Sequence, residues 1–301
     1  MPDQFSNMRF IVNPRAGNRR GDVETTIRQV LGGTGIVFDI IRTEHRGHAT
    51  ELARLAADDG IELVVAVGGD GMLNEVGKGL LERETILGLL PCGSGNGFGR
   101  SQGISLDPKR ACSALLQADV RPIDVGKIGD DIFFCTAGTG LEVEVSRRYN
   151  EMQGNRHGLL TYACLTLDTY RNYTPEPVRI TLEEESDLQI RPIILTVANT
   201  AQYGYGIQIA PAARPDDGWL DLCIVEDPGF LQLLWHSRRL LTGTIDRMPG
   251  VRMLRTHRVQ IERNNPVPLQ VDGDEVPGKA VLDVCVVPAA IRMALPSSIK
   301  P

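Results

Sequence analysis

Val64-Val65-Ala66-Val67-Gly68-Gly69-Asp70-Gly71-Met72-Leu73-Asn74-Glu75-Val76 is the stretch around which the rest of the chain is organised. Ile61 to Val67 is almost continuously apolar and rich in β-branched residues, the pattern of a strand buried on both faces. Leu73, Val76, Gly77 and Leu80 then recur at helical spacing, with Met72 and Leu81 beside them, so a helix is expected just after Gly71. Between strand and helix sits Gly-Gly-Asp-Gly. Three glycines in four positions remove the β-carbons that would hold a ligand away from the backbone. Open N–H groups at a helix start, with the helix dipole behind them, favour an anion there. A carboxylate at Asp70 makes sense if a divalent cation or a transferring phosphoryl group lies between it and a phosphate. In isolation the segment also reads as an ordinary strand-to-helix turn, so its companions decide.

The segment lacks the Gly-Lys-Ser/Thr ending of a P-loop and the spacing of a G-x-G-x-x-G fingerprint. Upstream, Arg9 to Val12 is a short strand ending at Asn13-Pro14-Arg15-Ala16-Gly17, where Pro14 and Gly17 force a turn before a helix over 22–31. Ile36 to Ile41 is a second strand, running into Thr43-Glu44-His45-Arg46-Gly47-His48-Ala49 and a helix through Leu52, Leu55 and Ala56. His45 and His48 have no metal-ligand companions, so surface or capping roles are expected. Downstream, Thr85 to Leu90 is another apolar strand, ending in Pro91-Cys92-Gly93-Ser94-Gly95-Asn96-Gly97-Phe98-Gly99-Arg100. Glycine at every second position from Gly93 to Gly99 demands unusual backbone angles or close ligand approach, and Ser94 and Asn96 can donate to phosphate or ribose oxygens. Asp107 to Ala118 adds a helix. Strand and helix alternate throughout, the pattern of a parallel sheet with helices on both faces.

The 301 residues suffice for one large or two medium domains, and 42% hydrophobic with 23% charged residues is ordinary for a soluble globular protein. A net charge of −6 argues against general nucleic-acid binding. Six cysteines without a Cys-x-x-Cys pair read as reduced core thiols of a cytoplasmic protein, Cys92 excepted because it lies in the second glycine loop. No apolar run approaches a membrane span, and no signal pattern opens the chain.

Past Arg121 the pattern changes. Arg121-Pro122-Ile123-Asp124-Val125-Gly126 starts a strand leading into Ile132 to Ala137, and residues 158–173 read as a helix. From Pro177 onward, Val178, Ile180 and Leu182, then Leu220, Leu222 and Ile224, then Val259 and Ile261, then Leu282, Val284 and Val286 alternate with period two. That indicates an antiparallel sandwich packed on its inner face. A domain boundary is expected near residue 122, with substrate chemistry in the cleft between the halves. Leu231 to Arg258 holds six arginines, one acid and an apolar group that includes Leu231, Leu234, Trp235 and Leu241. Contact with an anionic bilayer and a helix packed on the sandwich with exposed arginines are both open readings of that segment.

Taken together, and over nearly the whole chain, these motifs resemble the diacylglycerol and sphingosine lipid-kinase family. Gly-Gly-Asp-Gly followed by Asn-Glu-Val cradles ATP there, although NAD kinases and phosphofructokinases carry a similar segment. The resemblance implies nucleotide contacts from Asn13, Pro14, Arg15, Ala16 and Gly17, from Thr43, from Gly68, Gly69, Asp70, Gly71, Met72, Leu73 and Asn74, and from Ser94 and Asn96. The Ser-Gly-Asn version of the second loop leans towards the sphingosine-kinase-like branch, and Gly97 stands where the family has Asp or Ala. Arg-x-Ile-Asp-Val-Gly is similar to the segment joining the two halves of bacterial diacylglycerol kinases, which implies that Asp124 faces the cleft and assists catalysis. Gly138 to Val145 matches a Gly-x-Gly-Phe/Leu-Asp segment with Glu in place of Asp, and head-group recognition by Glu142 or Glu144 is the associated reading. Arg214-Pro215-Asp216-Asp217-Gly218-Trp219-Leu220 matches an Asp-Gly-x-Leu segment, which implies Mg²⁺ held by Asp217 and the carbonyls of Arg214 and Trp219. Leu269-Gln270-Val271-Asp272-Gly273-Asp274-Glu275 matches the late Asp-Gly-Glu that carries the general base. Gapless alignment gives Asp274, with Glu275 the alternate.

The implied architecture is α/β, with an N-terminal parallel α/β nucleotide-binding domain over 1–121 and a C-terminal antiparallel β-sandwich-like domain over 122–289. The last strand, near 290–297, is expected to return to the first domain. The implied activity is an ATP- and Mg²⁺-dependent lipid kinase that phosphorylates a hydroxyl of a lipid such as diacylglycerol or a sphingoid base. An NAD-kinase-like nucleotide kinase and a non-catalytic nucleotide or lipid sensor are the alternatives. The expected partner is a lipid at the inner membrane surface, with homodimer formation left open and no nucleic acid.

Overall fold

The computed structural model describes residues 5–15, 23–152, 159–183, 187–227 and 229–297. It forms two compact units, residues 1–123 with 289–301, and residues 124–288.

The first unit runs β1 (Asn7–Val12), α1 (Val23–Leu31), β2 (Val37–Arg42), α2 (His48–Asp58), β3 (Leu63–Gly68), α3 (Asp70–Leu80), β4 (Ile86–Pro91), α4 (Gly97–Ser101) and α5 (Pro108–Leu115). Its strands are parallel in the order β2-β1-β3-β4. Every residue of β3 is buried, as its unbroken apolar run requires of a central strand covered on both faces. Helices α2 and α3 pack together, and α1 packs on α5. The α2–α3 approach depends on Gly79, where a β-carbon would lie 2.5 Å from the Thr50 carbonyl oxygen. Asp107 caps α5 by accepting from the Arg110 N–H at 2.8 Å, with Pro108 in the first turn. Helix α3 begins at Asp70 and takes in Gly71, earlier than the sequence pattern suggests. Gly69 is extended (φ −94°, ψ −165°) and closes the strand, and an acid in the first turn is favoured by the helix dipole.

The second unit carries β5 (Asp119–Ile128, entering from the first), β6 (Asp131–Phe133), β7 (Thr136–Gly140), α6 (Leu141–Glu151), α7 (Leu159–Tyr170), β8 (Val178–Leu182), β9 (Leu188–Ile190) and β10 (Pro192–Ala198). After these come β11 (Gln202–Gly204), β12 (Ile207–Gln208), β13 (Leu220–Glu226), α8 (Phe230–His236), α9 (Arg238–Thr242), β14 (Val251–Thr256), β15 (Arg258–Arg263), β16 (Leu269–Val271), β17 (Asp274–Val276) and β18 (Val281–Leu295). An antiparallel sheet in the order β14-β13-β10-β7-β16-β17 packs through Leu195, Val197, Leu222 and Ile224 onto Ile180, Val259, Ile261 and Val284 of β8, β15 and β18. The mixed α/β class with a parallel first sheet and an antiparallel second one is thus as expected.

Three details differ from the sequence reading. The six-stranded sheet is covered on both faces, because Cys223 and Val225, on the outward positions of β13, join a second core with Ile193, Leu233 and Leu240. Residues 231–258 form two short helices, a 3₁₀ turn and strand β14 rather than one helix, Gly243 (φ 64°) ending α9. Of the six thiols, all free, only Cys112, Cys135 and Cys223 are buried, and Cys164 is exposed on α7. Among the described residues no helix is long and apolar enough to cross a membrane.

Candidate active site

In a parallel sheet of order β2-β1-β3-β4, the crossovers leaving β1 and β3 go to opposite sides. The loops at their C-terminal ends diverge there, and such a switch point is where open α/β sheets bind ligands. The expected nucleotide-contacting residues of the first unit cluster at these ends. The Asn13 N–H donates to the Val67 carbonyl at 3.2 Å, and the Thr43 N–H to the Val12 carbonyl at 2.9 Å. Asn13 Oδ1 accepts from the Arg15 N–H at 2.9 Å, fixing the turn through Pro14. A β-carbon on Gly68 would collide with Met72 at 2.6 Å and lie 3.8 Å from the Asn13 β-carbon. Met72, Leu73 and Asn74 are buried in α3, so Met72 and Leu73 can offer a ligand backbone rather than side chain. Ala16 and Gly17 lie outside the described residues.

The second glycine loop is bound to the first. A β-carbon on Gly93 would lie 2.5 Å from the Gly69 Cα, and the Cys92 N–H donates to the Gly68 carbonyl at 2.8 Å. Asp70 accepts from the N–H groups of Gly97 at 2.8 Å and Phe98 at 3.0 Å, capping α4 from across the site. Asn96 is left-handed (φ 53°), and its side chain closes the loop on itself, accepting from the Gly93 N–H at 2.9 Å and donating to the Gly93 carbonyl at 2.8 Å. Ser94 is exposed at the rim.

In the second unit the network at one end of the six-stranded sheet was not readable from sequence. Asp124 is 5% exposed, and its Oδ2 accepts from the Gly218 N–H at 2.7 Å. Asn199, fully buried at the end of β10, donates through Nδ2 to the carbonyls of Asp124 and Phe134, both at 3.0 Å. The Asn199 N–H donates to the Cys135 carbonyl at 2.8 Å. Asp272 then accepts from the N–H groups of Phe134 at 2.8 Å, Cys135 at 2.7 Å and Thr136 at 3.1 Å. Asp124, the Asp217–Gly218 loop and the Asp272–Glu275 hairpin therefore share one sheet end, with Asn199 between them. The only sequence signal for Asn199 is a polar residue closing an apolar strand.

The hairpin turn is Asp272 (φ 49°) and Gly273 (φ 90°), so strand alternation is intact from Asp274 onward. Asp274 pairs with Val271, which faces the sandwich core, and Glu275 pairs with Gln270, whose amide donates to Thr136 Oγ1. Cross-strand partners share a face, so Asp274 and Glu275 point to opposite sides.

Asp217 accepts from the Trp219 N–H at 3.1 Å and from Arg255 at 2.5 Å, while Arg214 pairs with Asp216 at 3.0 Å. His257 stacks on Trp219 at 3.6 Å and reaches the Gly218 carbonyl at 2.8 Å, holding the loop from the far side. Asp221 is buried, and one of its oxygens has no partner. Burial pushes its carboxyl up to about 6, Arg255 pulls it down, and Asp217 raises it. Among the described residues no three His, Cys, Asp or Glu side chains converge as a metal cluster.

Glu142 has an interior setting. It is 5% exposed and accepts from Thr196 Oγ1 and the Tyr203 hydroxyl. Burial pushes its carboxyl up to about 8, with those hydrogen bonds pulling the other way. Gly138 makes the room, since a β-carbon there would lie 1.8 Å from Glu142 Oε1. Glu144 pairs instead with Arg147 on the helix surface.

A parallel unit with two touching glycine loops, followed by an antiparallel unit with a buried aspartate network, sets this chain in the class of diacylglycerol-kinase-like enzymes. The diacylglycerol kinase catalytic domain model matches residues 7–128, and the YegS C-terminal NAD kinase beta sandwich-like domain model matches residues 135–295. A protein of Chromohalobacter salexigens named as a YegS-like lipid kinase is 31% identical over 76% of this chain and 74% of its own. A diacylglycerol kinase of Mycobacterium tuberculosis is 28% identical over 90% and 94%. The crystal structure of a diacylglycerol kinase from Bacillus anthracis superimposes with a TM-score of 0.72 at 21% identity over 97% of each chain, a likeness of fold. The chain belongs to the YegS-like, diacylglycerol kinase family, and it is a kinase.

Proposed function

We propose that this kinase transfers a phosphoryl group from ATP to a hydroxyl of a lipid such as diacylglycerol or a sphingoid base, with Mg²⁺. The observation that carries the nucleotide assignment is the contact between Gly69 and Gly93 beside the β1/β3 switch point. Two backbones bare of side chains meet there, next to Ser94, to the Asn13 and Thr43 turns bonded to Val67 and Val12, and to the start of α3. Such a surface suits a chain of phosphates. Asp70 supports it by holding the second loop against the first.

The Asp217 loop fits Mg²⁺. Asp217 and the buried Asp221, one oxygen of which has no partner, both face Arg255, with Arg214 also near Asp217, so the loop offers hard oxygen donors. Asp217 and the carbonyls of Arg214 and Trp219 would hold the ion. An ion held there would brace the loop, and Mg²⁺ near Asp70 would supply countercharge for the phosphoryl group in transfer. Asp274 accepts the proton of the lipid hydroxyl, with Glu275 the alternate, and Asp124 orients the Gly218 backbone. The setting proposed is the cytoplasm, peripheral to the inner membrane surface.

The description of the C-terminal family model favours one second reading, with NAD as acceptor. Labelled ATP with Mg²⁺, offered diacylglycerol, sphingosine and ceramide in detergent with NAD as competitor, separates the readings. Label in the lipid fraction is expected. Label in NADP alone overturns the lipid assignment, and ATP binding without transfer to any acceptor leaves a sensor.

A further inference from the structure

Helices α8 and α9 have a face the fold does not use. Ser237, between them, keeps helical angles (φ −54°, ψ −32°), so the pair winds almost as one helix. Leu233 and Leu240 turn inward onto the outer core of the six-stranded sheet. The opposite stripe carries Leu231, Trp235 and Leu241, which are 78%, 65% and 49% exposed. An amphipathic helix on a globular protein normally presents polar residues there.

The charge beside this stripe selects its occupant. Of the six arginines between 231 and 258, Arg252 pairs with Glu226, Arg255 with Asp217, and Arg258 with Asp283. Arg239 is turned back onto His236 and the Thr244 carbonyl. Among the described residues, Arg238 and Arg247 make no ion pair, and the Arg238 guanidinium lies 4.8 Å over the Trp235 ring. Tryptophan and arginine stacked at the edge of an exposed leucine patch suit the boundary between headgroups and acyl chains. The positive charge suits anionic lipid.

We propose that the outward stripe of α8–α9 docks on an anionic bilayer, with Leu231, Trp235 and Leu241 entering the interface and Arg238 meeting the headgroups. The proposal rests on the lipid-kinase reading for its purpose and on the stripe for its geometry. It also narrows the electrostatic contribution from six arginines to two.

The test is co-sedimentation of the full chain with vesicles of phosphatidylcholine alone or mixed with phosphatidylglycerol, without ATP or diacylglycerol. Wild type should partition at least about tenfold more onto the mixed vesicles. Trp235→Ser with Leu231→Ser should lose binding to them, and Arg238→Gln should lose most of the difference between the two vesicle types. Equal binding of wild type to both vesicles, or none to either, overturns the proposal whether or not the variants fold. So does a wild-type dimer in sedimentation velocity that the double variant abolishes, since a second copy would then cover the stripe. A parallel assay uses short-chain diacylglycerol in detergent, where docking is not needed. Activity there without vesicle binding sinks the surface alone, and vesicle binding without phosphorylation of any lipid sinks the lipid-acceptor reading alone.

Discussion

A methyl group on Gly93 would lie 2.5 Å from the Cα of Gly69, closer than real β-carbons approach. Neither partner is the tip of a flexible side chain, so Gly93→Ala must push the two loops apart. The expected cost is about 1–3 kcal/mol, as for an overpacked core site. ATP affinity should fall with it, whereas Ser94→Ala at the exposed rim should keep the wild-type melting temperature. Thermal melts with ATP titrations check both; an unchanged Gly93→Ala protein would mean that the loops need not touch.

Asp70 presents two oxygens to two N–H groups, those of Gly97 and Phe98. Asn at this position supplies one acceptor and sets an amide N–H against the other donor. We expect Asp70→Asn to fold, to lose about 1–3 kcal/mol of stability, and to lose kinase activity as the second loop loosens. Wild-type-like turnover would remove Asp70 from the site.

The hairpin sets Asp274 and Glu275 on opposite faces and bonds Asp272 to three backbone N–H groups, and the proposed roles of the three acids can be told apart. Asp274→Asn should lower kcat by roughly two to four orders of magnitude with ATP binding retained, as removal of a general base does. Glu275→Gln, on the other face, should remain within a few-fold, on the order of less than 1 kcal/mol in barrier. Asp272→Asn should instead lower the melting temperature, because it accepts three backbone N–H bonds. Single-turnover kinetics beside melts would distinguish them, and a dead Glu275→Gln with an active Asp274→Asn reverses the assignment.

Asp217→Ala should abolish the stabilisation that Mg²⁺ confers on wild type, since an ion bound only by the folded state raises its stability by mass action. Equal shifts of wild type and variant on adding Mg²⁺ would make this loop a plain turn.

Glu142 predicts a pH dependence. Its folded pKa is near 8 against an ordinary 4.5, chiefly through burial. Between those values the folded carboxyl keeps a proton that the unfolded one has lost. The folded state therefore binds more protons, and stability falls as pH rises through this window. Glu142→Gln cannot ionise and should lack that slope. Its stability relative to wild type should rise between pH 5 and pH 8 by on the order of 1 kcal/mol per pH unit, read as a steadily growing difference in melting temperature. A difference constant with pH would show that Glu142 titrates normally.

What could be read in advance follows the range of the interactions. The strand–turn–helix from Val64 to Leu80 is local, and an unbroken apolar run followed by glycines and a 3.6-residue repeat specifies it. The Asp272-Gly273 turn is local too. Asp70 capping a helix 27 residues on is not, and neither is Asn199 bridging Asp124 and Phe134, because nothing in either residue's neighbourhood names its partner. Glu142 misleads for a related reason. An acid in the first turn of a helix normally faces water, and only the missing β-carbon of Gly138, on the neighbouring strand, lets it point inward. For 231–258 bilayer contact and a packed helix both stay open because arginines can be counted in a sequence, while Glu226, Asp217 and Asp283, which occupy three of them, cannot be paired off without the fold.

Strand β18 pairs with β15 through Val281 to Cys285 and later sets Met293 beside Leu87 of β4. During synthesis β4 leaves the ribosome long before that partner exists. At about 5–20 residues per second, residues 124–288 take on the order of ten seconds or more to appear. For that interval the first unit lacks its neighbouring strand, and a fully apolar β4 presents an open edge able to recruit another nascent chain. Early stop codons after residue 123 should therefore yield aggregates rather than a free first unit, and moving residues 289–297 ahead of Asn7 by circular permutation should relieve the wait.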